Sequence, residues 1–400
     1  MILIFCIFAA LLIYFSFKSF RGGFAYLNYF RNEFAKPCSD HTPFVTIIAP
    51  CKGLDEGLEE NLAALLEQNY PDYEVIFVVD DESDQAVEIV KNVSSKDAKA
   101  AKKTKLVVAR KAAKSSQKVE NLREAVLHVS ERSKVFVFVD SDARPATEWL
   151  SNLVAPLADE TVGATTGYRW FLSNKPTFGS ELRSMWNASI ASALGANING
   201  NFCWGGSMAM RRETFDQLDI REKWAGTLSD DFTVTRAMKA ANMAVYFVPQ
   251  ALTASIENCT FAEMLEFTTR QMKITRVYAS HLWLMSFFGS GLFTGVMLWA
   301  LLIVVLSRQN SFAVWAAIAT LVLVALFSIG KSWLRLMAVR LVLSEHDSAL
   351  RSQIFPQLTL WLLAPPVFLF NCFAALFSRR MTWRGIRYEM VSPNETKRLN

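Results

Sequence analysis

The sequence predicts an α/β domain built on a parallel sheet and set between membrane segments. Three observations predict it. Between Val45 and Val139, short apolar, β-branched runs alternate with helical stretches, which is the pattern of βαβ units. Apolar residues make up 52% of the 400 and charged residues 20%. The apolar excess is concentrated at residues 1–20 and again from about residue 282 onward, so residues 40–280 read as an ordinary soluble mixture, with the α/β domain itself at 40–260. Finally, three acidic motifs stand in order: Asp80-Asp81, Asp140-Ser141-Asp142 and Asp230-Asp231.

Residues 1–20 are almost wholly apolar, broken only by Ser16, Lys18 and Ser19. They lack the positive n-region and small-x-small cleavage site of a signal peptide, so they read as an uncleaved anchor. Lys18, Arg21, Arg31 and Lys36 lie in or after this stretch, towards its far end. The positive-inside rule then places the next domain in the cytoplasm, at a plasma or inner membrane. Val45–Ala49, closed by Pro50, is the first strand. Leu58, Leu62, Leu65 and Leu66 share one face of a helix over 58–68. Tyr73–Val79 is a strand, and Asp84 caps a helix running to Val93. Strands at 105–109 and 134–139 flank a helix at 118–129. Continuous apolar strands of this kind fit a sheet covered on both faces. Beyond Asp142 the pattern predicts a helix at 146–153, a strand at 162–168, a helix near 178–194, a strand at 205–210 and a helix at 230–241.

Phe261–Trp283 mixes apolar positions with Arg270, Lys273 and Arg276, as an interfacial amphipathic helix does (residues 261–281). Leu282–Leu306, Phe312–Ile329 and Ile354–Phe377 each approach the ~20 residues that span a bilayer, within a membrane segment at 282–378. Residues 379–400 read as a basic tail. Three crossings put that tail opposite the soluble domain, although its arginines argue for the same side. A re-entrant stretch around Pro365-Pro366, or Trp333–Leu343, resolves the conflict.

Several function classes fall away. Cys6, Cys38, Cys51, Cys203, Cys259 and Cys372 are scattered without a C-x-x-C pair, which speaks against a disulfide framework or zinc site. The four histidines are far apart. A net charge of +5 without interleaved aromatics does not indicate nucleic acid.

The acidic motifs carry the chemistry. Val75–Val79 ends in Asp80 and Val135–Val139 ends in Asp140. Carboxylates at the carboxyl ends of buried strands line the crevice where open α/β sheets bind ligands. Asp81 is placed to accept from a nucleobase edge, or to serve as a turn or cap residue. Asp140 and Asp142 are spaced to share a divalent cation and a ribose hydroxyl; the alternative is a polar turn ahead of Pro145. Mg²⁺ takes one or two protein carboxylates and completes its shell with phosphate oxygens and water. Asp230-Asp231 after Ser229 also reads as a cap and first helical turn. Lys118 opens a helix within reach of a phosphate or ribose, and Gly205-Gly206-Ser207 lets backbone approach a ligand closely.

In this order the motifs resemble the family 2-type GT-A glycosyltransferases, and more closely the ceramide glucosyltransferase-like branch. The matching stretches are Ala49-Pro50-Cys51-Lys52-Gly53, Asp80 to Asp84, Lys118 to Leu122, Val139 to Asp142, Leu228 to Phe232, and the ending Trp383-Arg384-Gly385-Ile386-Arg387-Tyr388. The resemblance implies a GT-A (Rossmann-like) domain, a UDP-sugar donor and Mg²⁺ or Mn²⁺. It implies Pro50 and Lys52 near the nucleotide, Asp81 on the uracil, and Lys118 at the uridine or diphosphate. It further implies Asp140 at the ribose and sugar, Asp142 on the metal, and Asp231 as general base with Asp230 beside it. Gly206, Arg270 and Lys273 fall to the acceptor or diphosphate. Where the family usually has (Gln/Arg)-x-x-Arg-Trp, this chain has Arg270-Gln271-Met272-Lys273-Ile274. Lys keeps the charge without the planar fork, and Ile has no stacking face.

The expected activity is inverting transfer of a hexose, glucose foremost, to a membrane lipid such as ceramide. Transfer to a hopanoid or diacylglycerol, processive polysaccharide synthesis, and a non-catalytic nucleotide-binding membrane scaffold are the alternatives.

Overall fold

All seven residues of Tyr73–Val79 are buried, and so are the first five of Val45–Pro50. Strands of this composition satisfy their backbone only between neighbours, so they sit in the middle of a sheet. In the computed structural model, which describes residues 2–37, 39–96, 98–306 and 311–399, the chain forms two units. Cys38 lies outside the described residues. One unit comprises residues 33–174, 193–257 and 379–400, and the other residues 1–32, 175–192 and 258–378.

The first unit holds a seven-stranded sheet made of β1 (Val45–Pro50), β2 (Tyr73–Val79), β3 (Thr104–Val108), β4 (Val135–Phe138), β5 (Val162–Thr166), β7 (Met208–Arg211) and β8 (Ala244–Phe247). Its order is β3-β2-β1-β4-β7-β5-β8. β6 (Arg169–Leu172) and β9 (Thr253–Ile256) pair separately in parallel. β1 pairs in parallel with β2 and β4, so the loops carrying Asp80 and Asp140 leave the same sheet edge on either side of β1.

The expected all-parallel sheet is corrected in one place, because β7 runs antiparallel to both β4 and β5. The helix Phe178–Ala191, expected near 178–194, belongs to the other unit. Without a packed crossover, nothing returns the chain in parallel. The strand starts at Met208, not Gly205, because residues 205–207 form a turn. The core joins Ile48, Ile76, Val78 and Phe138 to Val119, Leu122, Phe215 and Trp224. Phe138 meets Trp224 edge-on at 5.4 Å, and the Trp224 indole N–H donates to the Asp230 carbonyl at 3.1 Å. Sheet packing thus fixes the turn from which the third acidic pair projects.

Residues read as a basic tail instead form an antiparallel sheet of β10 (Arg380–Trp383), β11 (Ile386–Ser392) and β12 (Glu395–Arg398). Period-2 burial in β11 places Ile386, Tyr388 and Met390 inward. The Tyr388 hydroxyl accepts from the Gln117 N–H at 3.1 Å, one residue before Lys118.

Among the described residues, the second unit contains three helices long and apolar enough to cross a membrane: Ile2–Phe34, Ser280–Leu306 and Ser311–Val342. Phe5, Ala9 and Leu12 pack with Val296, Ala300, Ala313, Ala317 and Val324, where small residues let helices approach. Ahead of them, the helix Phe261–Tyr278 opens on a Thr260–Glu263 capping box. The third later segment is a bent pair, Ile354–Leu362 and Ala364–Phe377, at 56°. Pro365 and Pro366 stand in the first turn after the break, where they cannot donate into the preceding turn. The C-terminal strands belong to the same unit as residues 33–174. By length and composition the bent pair is either a broken span or a re-entrant loop.

Tyr388→Phe should lower stability by about 1–3 kcal/mol, because it leaves the buried Gln117 N–H without an acceptor. Thermal unfolding of the two purified proteins in the same detergent checks this; equal midpoints would contradict it.

Candidate active site

Lys118 lies in the first turn of the helix Gln117–Ala125, where the helix dipole opposes a cation. It is held there by two carboxylates, Asp140 at 2.7 Å and Asp230 at 3.1 Å. Burial works against its charge, but Asp140, Asp230 and Asp231 outweigh that and hold its pKa above the usual lysine value. Ser116 locks the arrangement. Its hydroxyl caps the helix by accepting from the Val119 N–H at 3.2 Å and donates to the Leu228 carbonyl at 2.7 Å. The N-termini of the Lys118 helix and the Asp230–Ala240 helix are thereby fastened together.

Arg169, at the start of β6, is another largely enclosed cation at this site. It reaches Asp142 at 3.0 Å and Asp140 at 3.4 Å and lies over the Trp204 ring at 4.7 Å. Burial opposes its charge, while Asp142 and Asp140 keep it firmly protonated. Asp140 is therefore shared by two cations. Asp142 gives one oxygen to Arg169, and its Oδ1 is buried without a hydrogen-bond partner.

Asp230 is 2% exposed, and its Oδ2 is likewise buried and unpartnered. Burial, only partly offset by Lys118, pushes its carboxyl up to about 6. A Cβ on Gly205 would stand 2.2 Å from that Oδ2 and 2.8 Å from Lys118 Nζ, so only glycine fits. A Cβ on Gly206 would stand 2.1 Å from the Trp204 ring. Asp231 is only partly buried. Its Oδ1 bonds the Ser229 hydroxyl and accepts from the Phe232 N–H at 2.7 Å, while Oδ2 lies 3.4 Å from the Gly205 N–H.

The first acidic pair divides. Asp80 is buried and takes Lys52 at 2.9 Å and Lys111 at 3.3 Å. Asp81 is exposed, and Lys111 and Ser83 hold its carboxyl below the usual range. Pro50 closes β1 beside Val78. On the other side, Arg384 makes a two-pronged contact to Asp55 at 2.5 and 2.9 Å, and Asp55 accepts from the Ser141 hydroxyl at 2.9 Å. The C-terminal hairpin is thus tied to the loop between Asp140 and Asp142.

Contacts link Lys118, Asp140, Asp142 and Asp230, and Asp231 joins them through Gly205 and its charge on Lys118. Lys52 and Asp81 form a second group, joined through Asp80 and Lys111. Arg270 and Lys273 lie on the helix Phe261–Tyr278 of the other unit. Asp84, expected as the helix cap, stands one residue outside it: Gln85 is the N-cap, and Asp84 accepts from the Ala86 and Gly53 N–H groups, each at 2.9 Å. Sequence reasoning missed Arg169 and Lys111, which stand in no motif. Arg384 had a signal, the Trp383-Arg384-Gly385 stretch, but no role attached to it.

The residues fit a divalent cation held jointly with a diphosphate. Among the described residues no cluster of three or more His, Cys, Asp or Glu converges, so the chain alone supplies no full shell. Asp142 Oδ1 is a buried oxygen without a partner, and one or two carboxylates suffice when phosphate oxygens complete the shell.

A model of glycosyl transferase family 21 matches residues 5–396. An N-acetylglucosaminyltransferase of Rhizobium leguminosarum bv. viciae is 28% identical over 255 residues, which is 58% of this chain and 56% of that protein. The chain thus spans about half the length of this curated relative. Among solved structures, a mannosyltransferase from Pyrobaculum calidifontis in complex with GDP-Man and Mn²⁺ is 18% identical with a TM-score of 0.44, covering 91% of this chain and 99% of that one. GalNAc-T7 with UDP, GalNAc and Mn²⁺ is 12% identical with a TM-score of 0.39, covering 55% and 44%. The chain belongs to glycosyl transferase family 21, in agreement with the resemblance carried by its motifs.

The raised carboxyl of Asp230 has a definite sign. Its contribution to stability is greatest below the ordinary value of 3.8 and is lost as pH rises to about 6. The stability of the native protein minus that of Asp230→Asn should therefore fall across this window, by up to about 3 kcal/mol. Thermal unfolding of both proteins from pH 4 to 7 measures the difference, and a pH-independent difference contradicts it.

Proposed function

We propose that this family 21 glycosyltransferase moves a hexose, glucose foremost, from a UDP-sugar to the hydroxyl of a membrane lipid such as ceramide, by a single inverting displacement. The observation that carries this reading is the salt-bridged chain Asp142–Arg169–Asp140–Lys118–Asp230, which ends beside the partly open Asp231. A donor side and an acceptor side are built into one electrostatic unit.

Asp231 takes the acceptor's proton. It is the accessible member of its pair, and Ser229 with the Phe232 N–H fixes its orientation. A positioned carboxylate base contributes about 10²–10⁴-fold. Asp230 and Gly206 shape the space beside it. Asp140 faces the ribose and sugar, held in place by Lys118 and Arg169. Lys118 supports the diphosphate, and Asp81, with Lys52 and Pro50, borders the uracil. Asp142, whose Oδ1 is buried without a partner, would hold Mg²⁺ or Mn²⁺, which would supply Lewis-acid neutralisation of charge on the departing UDP. Arg270 and Lys273 are assigned to acceptor or diphosphate contacts on the resemblance alone. The catalytic domain is read as cytoplasmic from the positive charges that follow the first apolar segment.

A second donor has support of its own. The curated relative is named an N-acetylglucosaminyltransferase, which favours an N-acetylhexosamine as the alternative sugar.

Membranes containing the chain, incubated with a panel of UDP-sugars, should yield a new glycolipid identifiable by mass spectrometry. Asp231→Asn should reduce that product about 10²–10⁴-fold while leaving UDP affinity within a few fold. Turnover at the native rate removes Asp231 as the base. A product of high molecular weight would overturn lipid transfer in favour of polymer synthesis.

A further inference from the structure

The membrane unit contains a cavity of about 190 Å³ between the helices Ile2–Phe34 and Ser311–Val342. It far exceeds the ~10–15 Å³ that admits one water. Two cations one helical turn apart, Lys331 and Arg335, line one side. Gly22, Tyr26 and Ser192 stand among the other lining residues. Arg335 is 2% exposed, and its Nε is buried without a hydrogen-bond partner. Its remaining contacts are to neutral atoms: Gln357 Oε1 at 3.1 Å, Met185 Sδ at 3.2 Å and Ser192 Oγ at 3.5 Å. Lys331 donates to the Ser19 hydroxyl at 2.8 Å. Neither residues 2–32 nor residues 311–344 include an Asp or Glu. Over these residues the two helices bring positive charge together without an acidic side chain; Glu33, at the end of the first helix, bonds Lys36 and Tyr246 instead.

A buried, uncompensated cation is among the costliest groups a fold can hold. In a membrane protein such groups mark ligand sites, facing one another or a polar cavity. The level is informative as well. Lys331 stands 20 residues beyond Ser311, or about 30 Å along the helix, which is one hydrocarbon thickness. The aromatic stack of Phe20 on Phe327 sets the two helices side by side at this level. The cavity thus opens where both helices leave the apolar zone, at headgroup depth. A Cβ on Gly22 would meet nothing within 4 Å, so the glycine leaves room there.

From this geometry we infer that the cavity is a binding site for the phosphate of an anionic lipid headgroup. Arg335 donates its spare N–H and Lys331 supplies a second charge-assisted contact. Basic pockets between transmembrane helices hold such headgroups. The inference does not rest on the glycosyl-transfer reading, because every lining residue belongs to the membrane unit.

The test uses the full chain in nonionic detergent, with retained lipid read by native mass spectrometry and stability by thermal unfolding. The probes are phosphatidylglycerol, phosphatidylcholine and inorganic phosphate. The native protein should retain phosphatidylglycerol in preference to phosphatidylcholine and be stabilised by it. Arg335→Gln should weaken that preference by about tenfold, the loss of one charge-assisted contact. Gly22→Leu fills the cavity, keeps both cations and should weaken it as well. An unchanged preference in both variants overturns the site. Stabilisation by inorganic phosphate alone, without preference for phosphatidylglycerol, overturns the lipid as its source.

Discussion

The site of this protein depends on one largely enclosed cation. Lys118 bridges Asp140, at the end of a central strand, and Asp230, at the start of a helix far along the chain. Without it, two carboxylates would face each other in a low-dielectric pocket, a situation in which at least one protonates. Removing one member of such a buried arrangement typically costs about 3–5 kcal/mol, because the other charge is left uncompensated. The surrounding structure is organised around keeping Lys118 in place. Ser116 joins two helix starts, Gly205 leaves room for Asp230, and the Tyr388 hydroxyl accepts from the residue just before it.

This arrangement holds the proposed donor carboxylate Asp140 and the proposed base Asp231 in register although they are about 90 positions apart. Asp140 also contacts Arg169, which in turn contacts Asp142. Asp142 is therefore joined to Asp230 through four ion pairs. The C-terminal hairpin adds a second fastening through Arg384, Asp55 and Ser141. Two buried oxygens, Asp142 Oδ1 and Asp230 Oδ2, are left without partners in this network. Buried orphan acceptors are costly, and their position at the two ends of the chain of charges suits a metal at one end and the reacting groups at the other.

Much of this was legible in the residues. The strands before Asp80 and Asp140 were readable because full burial demands a continuous apolar run, and Tyr73–Val79 agrees residue for residue. Ser229 and the first turn at Asp230-Asp231 were readable from capping chemistry. The antiparallel β7 was not, because strand direction depends on where the preceding helix packs, and Phe178–Ala191 packs in the other unit. Arg169 was hidden because one cation in a strand has no spacing to announce its partners. The C-terminal strands were obscured by their charge: Arg380, Arg384 and Arg387 suggest a solvated tail, while the burial of Met381, Ile386, Tyr388 and Met390 shows only in the fold.

The central claim is that Lys118 couples the donor carboxylate to the acceptor pair. A double-mutant cycle on unfolding free energy tests it most directly, using Lys118→Met, Asp230→Asn and the two combined at pH 7.5. The account predicts that the combined variant is less destabilised than the sum of the single ones, with a coupling of at least about 1 kcal/mol. Strict additivity would show that the two residues act independently and would contradict the account.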